Sequence, residues 1–165
     1  MNIYDVLRHE HYVIKAYLKK ISDMGARKPA TRRRDFLQLQ ALLAAHSAAE
    51  EEIFYLPLRH YEEAEALSRQ GRIQHDLAGS LMEVIAGLEP TDRDWTAYFA
   101  VFRAAVEAHI HQEEKEFFKL ARRILDAETE LRMGEEMRLV GKGMEAMPMV
   151  EIQEPPALPG SQSLH

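Results

Sequence analysis

The sequence predicts an all-α fold: an up-down-up-down four-helix bundle with an additional C-terminal helix and a flexible tail. Three observations carry this. Apolar residues recur at spacings of three and four through four long segments, which is the period of one helical face. Pro29, Pro57 and Pro90 fall between those segments, where a residue without an N–H does no harm, and Pro148, Pro155, Pro156 and Pro159 lie in the tail. No stretch alternates with a period of two for long enough to make a strand. Four long helices joined by short connections favour antiparallel neighbours in sequence order.

The first helix is expected from about Ile3 to Met24, with Leu7, His11, Ile14, Leu18 and Ile21 on one face and Gly25 as its stop. The second runs from about Thr31 to Leu56, where Phe36, Leu39, Leu43, His46, Glu50 and Ile53 keep the rhythm. The third runs from about Glu62 to Ile85, with Leu67, His75, Ala78, Met82 and Ile85 aligned and Gly87 after them. The fourth runs from about Asp92 to Leu125, with Trp95, Phe99, Phe102, Val106, His109, Glu113, Phe117 and Leu120 inward. Thr91 with Asp94 resembles a capping box at its start. A shorter helix is expected from Ala127 to about Met147, rich in methionines (Met133, Met137, Met144, Met147, Met149) that read as packing residues. Residues 1–147 form one domain, and residues 148–165 are a Pro-rich tail expected to be poorly ordered.

Composition narrows the chemistry. The chain has 165 residues and no cysteine, against 8 histidines and 27 acidic residues. Disulfides, thiolate metal sites and cysteine nucleophiles are therefore excluded. A metal here takes imidazole and carboxylate ligands, a set that suits iron, manganese or zinc. The net charge is −6, and Arg32, Arg33 and Arg34 form a short basic run that reads as the solvated start of a helix, so no nucleic-acid partner is expected. The most apolar stretch, around Ala41–Ala49, is interrupted by His46, and Asp5, Arg8, His9 and Glu10 stand where a signal peptide needs its apolar region. The expectation is a cytoplasmic protein with no membrane association. The sequence holds no glycine-rich phosphate loop, no Gly-x-Ser-x-Gly and no dinucleotide fingerprint.

Helix faces that should be apolar carry polar residues at matching depths: His11 on the first, His46 and Glu50 on the second, His75 on the third, His109 and Glu113 on the fourth. A buried carboxylate without a partner costs several kcal/mol. A cation between these six groups satisfies all of them together. His-x-x-x-Glu sets both side chains on one face, one turn apart, and occurs at His46–Glu50 and again at His109–Glu113. The pattern is duplicated. Arg8-His-Glu-His11 aligns with Arg72-Ile-Gln-His75 at an offset of 64 residues, and His46, Glu50, Glu51 and Phe54 align with His109, Glu113, Glu114 and Phe117 at an offset of 63. The chain is two copies of a helix pair, about 2–60 and 62–125, whose half-sites meet at the bundle centre. This arrangement suits two metals.

A histidine followed by His-x-x-x-Glu-Glu, repeated at these intervals, resembles the hemerythrin-like HHE cation-binding domain over roughly residues 2–125. The resemblance implies a four-helix bundle around a non-haem di-iron centre with an oxo or hydroxo bridge. It implies His11, His46, His75 and His109 as terminal ligands and Glu50 and Glu113 as bridges. Oxygen-carrying members have two histidines four apart on the third helix. Here Gly79 stands at the second of these positions. Two octahedral metals offer about twelve positions. Four histidines, two bridging carboxylates and one bridging oxygen leave two of them open, a count that favours reaction with peroxide or dioxygen over oxygen transport. Non-catalytic binding of oxygen, nitric oxide or iron, as a store or sensor, is the alternative, and a helical interaction protein with a structural metal is the second. The family's iron–sulfur repair members carry a cysteine-bearing N-terminal segment, which makes that role disfavoured here.

Residues beside the six can complete or support the centre. Tyr12 and Lys15 follow His11 closely. Glu51 and Glu114 point about 100° away from Glu50 and Glu113 on an ideal helix, so they are expected to hydrogen-bond ligands or face solvent. His9 and His111 fall on nearly opposite faces from His11 and His109 and are expected to be solvated. His60 and His165 need no function.

Overall fold

The computed structural model describes residues 1–145. The expected tail and the last residues of the fifth helix lie outside them. Among the described residues the chain is all helical, with five helices. Helix α1 spans Ile3–Met24. The Asn2 side chain caps it by accepting the Asp5 N–H at 3.0 Å. It stops at Gly25, whose φ of 55° lies in the left-handed region. Helix α2 covers residues 29–58: Pro29–Glu50, a π-helical turn Glu51–Tyr55, and Leu56–Leu58. Pro29 occupies its first turn, where a missing N–H costs nothing.

Pro57 does not separate helices as its residue type predicts. In the π turn ahead of it the Leu56 N–H reaches back five residues to the Glu51 carbonyl. The four-residue bonding that proline would break is already relaxed there. Helix α3 is Glu62–Gly87 and begins with Glu62, Glu63 and Glu65, which suit the positive end of the helix dipole. Helix α4 covers residues 93–124: Arg93–Gln112, a second π turn Glu113–Phe117, and Phe118–Ile124. Its cap is Asp92, which accepts the Asp94 N–H at 2.8 Å, rather than Thr91. Helix α5 is Ala127–Glu145. No helix among the described residues is long and apolar enough to cross a membrane.

From α1 to α4 each helix packs on the next, α4 returns against α1, and α5 lies against α1 and α2. The ring they form encloses two apolar clusters. One contains Leu7, Phe54, Leu58, Ala64, Phe117, Phe118, Met133 and Met137. The other contains Ile14, Leu18, Phe36, Leu43, Ala78, Phe99, Phe102 and Val106. The polar residues singled out by the sequence fall between them on every helix. His11 separates Leu7 from Ile14, His46 separates Leu43 from Ala49, His75 separates Ala64 from Ala78, and His109 and Glu113 separate Val106 from Phe117. The site is therefore a polar belt between two dry layers.

Helix α5 closes the end of the first cluster. Met133 and Met137 are buried there, as packing methionines should be. Gly134 lets α5 meet the start of α1. A Cβ at this position would clash with the Met1 carbonyl and fall 2.7 Å from the Asn2 carbonyl carbon. The side chain of Met144 is not described, and Met147 and Met149 lie beyond the described residues.

The basic run is not uniformly solvated. Arg33 and Arg34 are at least part-exposed, but Arg32 is 1% exposed. It donates to the Pro90 carbonyl at 2.7 Å and to the Thr96 hydroxyl at 3.0 Å, and its guanidinium lies 3.9 Å from the centroid of Trp95. Burial is tolerated because the flat, weakly hydrated guanidinium stacks on indole while its two terminal nitrogens find acceptors, Nε alone being buried without one. Arg32 thus fastens the start of α2 to the α3–α4 connection. Arg32→Ala should lower unfolding stability by about 2 kcal/mol or more, whereas Arg33→Ala should change it by less than about 0.5 kcal/mol. Urea unfolding of the two variants provides the comparison.

Candidate metal centre

Four helices deliver six polar side chains to the belt. His11 and Glu50 are 0% exposed, His46 2%, Glu113 3% and His109 7%, and the His75 side chain is 7% exposed. His11, His46 and Glu50 offer ligand atoms all within 4.8 Å of one another, and so do Glu50, His75 and His109. Glu50 belongs to both groups. Glu113 falls in neither triplet, but its Oε2 lies 3.3 Å from His109 Nε2.

The outer nitrogen of each histidine is fixed by an acceptor. His11 Nδ1 donates to Glu114 Oε1 at 2.9 Å, and His75 Nδ1 to Glu51 Oε1 at 2.9 Å. His46 Nδ1 donates to Glu10 Oε2 at 2.6 Å, and His109 Nδ1 to Gln74 Oε1 at 2.7 Å. The pairing obeys the sequence repeat. In each copy the residue before the first histidine holds the second histidine, and the second glutamate of one copy holds the first histidine of the other. With Nδ1 carrying the proton, every Nε2 presents a bare lone pair to the centre.

His11 Nε2 has no hydrogen-bond partner, and the other three face one another or carboxylate oxygens. His75 Nε2 and His109 Nε2 stand 3.1 Å apart. Two lone pairs at that distance repel. His75 Nε2 is also 3.2 Å from Glu50 Oε2. His11 Nε2, both Glu50 oxygens and Glu113 Oε1 are buried without a hydrogen-bond partner. Electrostatics agree with the geometry. Burial raises the Glu50 carboxyl well above its ordinary range, and the neighbouring Glu113 pushes it further. Burial, then the nearby His109 and His46, push His75 down to about 3, so it stays neutral at ordinary pH. Neutral imidazole nitrogens and clustered carboxylates, buried and unpartnered, are the donor set of a cation site. The residues fit a metal.

Tyr55, Glu10 and Gln74 complete the site and were not singled out by the sequence. Tyr55 is buried, donates its hydroxyl to Glu113 Oε2 at 3.0 Å, and stacks on His75 with ring centroids 5.5 Å apart. At the repeat-related position Phe118 stacks on His11 at 6.3 Å. Tyr55 ends the first π turn and Phe118 follows the second, so both rings are turned from where an uninterrupted α-helix would set them. No residue type signals a π turn, so Tyr55 was hidden. Glu10 and Gln74 were visible only as aligned residues preceding His11 and His75.

The supporting residues fall as their helical positions direct. Glu51 and Glu114 are part-exposed and hydrogen-bond His75 and His11. His9, His111 and His60 are exposed, as is Lys15, and Tyr12 is half-buried. His165 is outside the described residues. A cleft of about 370 Å³ is lined in part by Arg59 and Arg72 and by Glu51 and Tyr55, the two residues that touch His75 from that side.

An all-helical bundle whose centre is a buried histidine–carboxylate belt defines a cation-binding helical protein. Residues 2–121 match the hemerythrin HHE cation-binding domain, and the chain belongs to that family. No curated protein and no solved structure matches it.

Two glycines on α3 make opposite predictions. A Cβ on Gly71 would fall 2.7 Å from the Tyr55 hydroxyl and ring, whereas a Cβ on Gly79 would meet nothing within 4 Å. Gly71→Ala should therefore displace Tyr55 and cost about 1–3 kcal/mol. Gly79→Ala should be neutral or stabilise by up to about 1 kcal/mol through helix propensity. Thermal unfolding of the two variants, measured in parallel, tests the placement of Tyr55.

Proposed function

We propose that this protein holds two iron ions in the belt and reacts with peroxide or dioxygen. His11 and His46 would hold one ion and His75 and His109 the other, with Glu50 and Glu113 placed between the two pairs to be shared by both. The observation that carries this reading is the set of Nε2 lone pairs facing unpartnered carboxylate oxygens, with Glu50 common to both ligand groups. Oxygen and nitrogen donors without sulfur suit iron, and manganese or zinc are the competing ions. The ring of helix neighbours joined by short connections supports an up-down-up-down order, which presents one ligand histidine from each helix at the same depth.

Iron bound there in the ferrous state would supply the two electrons needed to reduce one peroxide. The chain contributes the rest. Glu10, Glu51, Gln74 and Glu114 lock the imidazole rings, so the ligand positions are set before a metal arrives. The apolar clusters above and below exclude bulk water. Tyr55 holds a proton 3.0 Å from Glu113 and borders the cleft, so it can move that proton to an oxygen species arriving from that side. Gly79 places no side chain beside His75 and leaves that flank open.

Metal analysis should find two ions per chain. Glu50→Ala or Glu113→Ala should lose most of them, while Glu51→Ala or Glu114→Ala should weaken binding by about 10–100-fold. Equal loss in all four would reject this ligand register. Anaerobic di-ferrous protein mixed with limiting peroxide should consume one peroxide per iron pair and gain the near-ultraviolet absorption of oxo-bridged ferric ions. Reversible oxygen binding without peroxide consumption would instead establish an oxygen carrier or store.

A further inference from the structure

The repeat that builds the belt is broken at one place where charge matters. Three of the four acceptors on the histidine Nδ1 atoms are carboxylates, and the fourth is an amide. Glu10, 8% exposed, holds His46 at 2.6 Å. Its counterpart Gln74 holds His109 at 2.7 Å. The amide is deliberately oriented. Gln74 Nε2 donates to Gln112 Oε1 at 3.0 Å, and Gln112 Nε2 donates to Gln70 Oε1 at 3.3 Å, so this chain of amides turns the Gln74 carbonyl towards His109. Ala49 and Val6 stand at the positions related to Gln112 and Gln70, so the Glu10 half has no such chain.

Glu51 and Glu114 do not offset this difference. Both are part-exposed and share their surroundings with other charges: Asp76 and then Arg72 beside Glu51, Lys15 and then Arg8 beside Glu114. Glu10 is the more deeply buried charge. A carboxylate behind an imidazole makes the far nitrogen a stronger donor than an amide does, and a buried negative charge attracts a cation with little solvent screening.

We propose, resting on the metal-centre reading above, that the two pockets are unequal. The His11/His46 pocket fills first and binds its ion more tightly, and the His75/His109 pocket binds the weaker, later ion. Glu10 and Gln74 are the positioning residues that set this order. The His75/His109 pocket is also the one that Tyr55 and the cleft approach, so the weakly held ion is the one nearest the entry side.

The test uses cobalt(II) as the probe and the full chain stripped of metal. Calorimetric titration of the native sequence should show two steps separated by about tenfold or more. Crystals grown with one equivalent of cobalt should show an anomalous peak between His11 and His46. The doubly exchanged variant E10Q/Q74E keeps the net charge and side-chain sizes. It should again give two steps, with the one-equivalent peak moved to the His75/His109 pair. The single variant Q74E should bring the two steps together by strengthening the second. Equal peaks in both pockets of the native protein, or a peak that stays with His11 and His46 after the exchange, overturns the proposal. Failure to bind any cobalt overturns the metal-centre reading itself, and the ordering with it, so the two failures are distinguishable. Circular dichroism of the exchanged variant should match the native spectrum.

Discussion

The structure turns on the placement of four protons. Each belt histidine carries its proton on Nδ1 because that nitrogen meets an acceptor that has no proton to give: Glu114, Glu10, Glu51 or the Gln74 carbonyl. Once those protons are placed outward, four lone pairs must face the centre. The same acceptors prevent the rings from turning to relieve the repulsion between His75 and His109. Burying such a group is costly unless something positive lies between its members. The helix ring and the apolar clusters on either side hold the groups together in spite of that cost. The fold thus contributes stability that the belt spends on being ready for a cation.

The π turns are the second device. They start one register apart, just after Glu50 on α2 and at Glu113 on α4, and beside them Tyr55, the last residue of the first turn, and Phe118, the residue after the second, each stack on a histidine of the other repeat. An α-helix advances about 100° per residue, and inserting a π turn changes which later residues point inward. Phe54 and Tyr55 on α2, and Phe117 and Phe118 on α4, can then all line the cluster that covers the belt. Tyr55 in place of a second phenylalanine gives one half a hydroxyl at the centre. Gly71 makes room for that ring where α3 passes closest.

Much of this was legible in the sequence because duplication multiplies weak signals. A single His-x-x-x-Glu is common, but two copies with a preceding histidine at matched intervals place six residues on four faces, and those residues meet in the belt. Helix limits agreed to within a few residues because the apolar period and the glycines report them directly. What escaped was set by tertiary geometry. Arg32 looks like its neighbours Arg33 and Arg34, and only the arrival of Trp95 and the Pro90 carbonyl makes its burial favourable. Pro57 looks like a break, but the π turn before it removes the clash that would make it one. Glu10 and Gln74 lie one residue from His11 and His75 and reach across to a histidine on a different helix, a relation that no local spacing encodes.

The family match ends at residue 121, before α5 begins at Ala127. Yet α5 supplies Met133 and Met137 to the cluster above the belt, and Gly134 brings its backbone against the first residues of α1. The unit that recurs in the family and the unit that is sealed from water are therefore not the same length here. Trimming the chain to the matched segment would keep every proposed ligand and still open a side of the cluster that keeps the centre dry. For this protein the working boundary of the domain is drawn by solvent exclusion, beyond the last residue of the shared pattern.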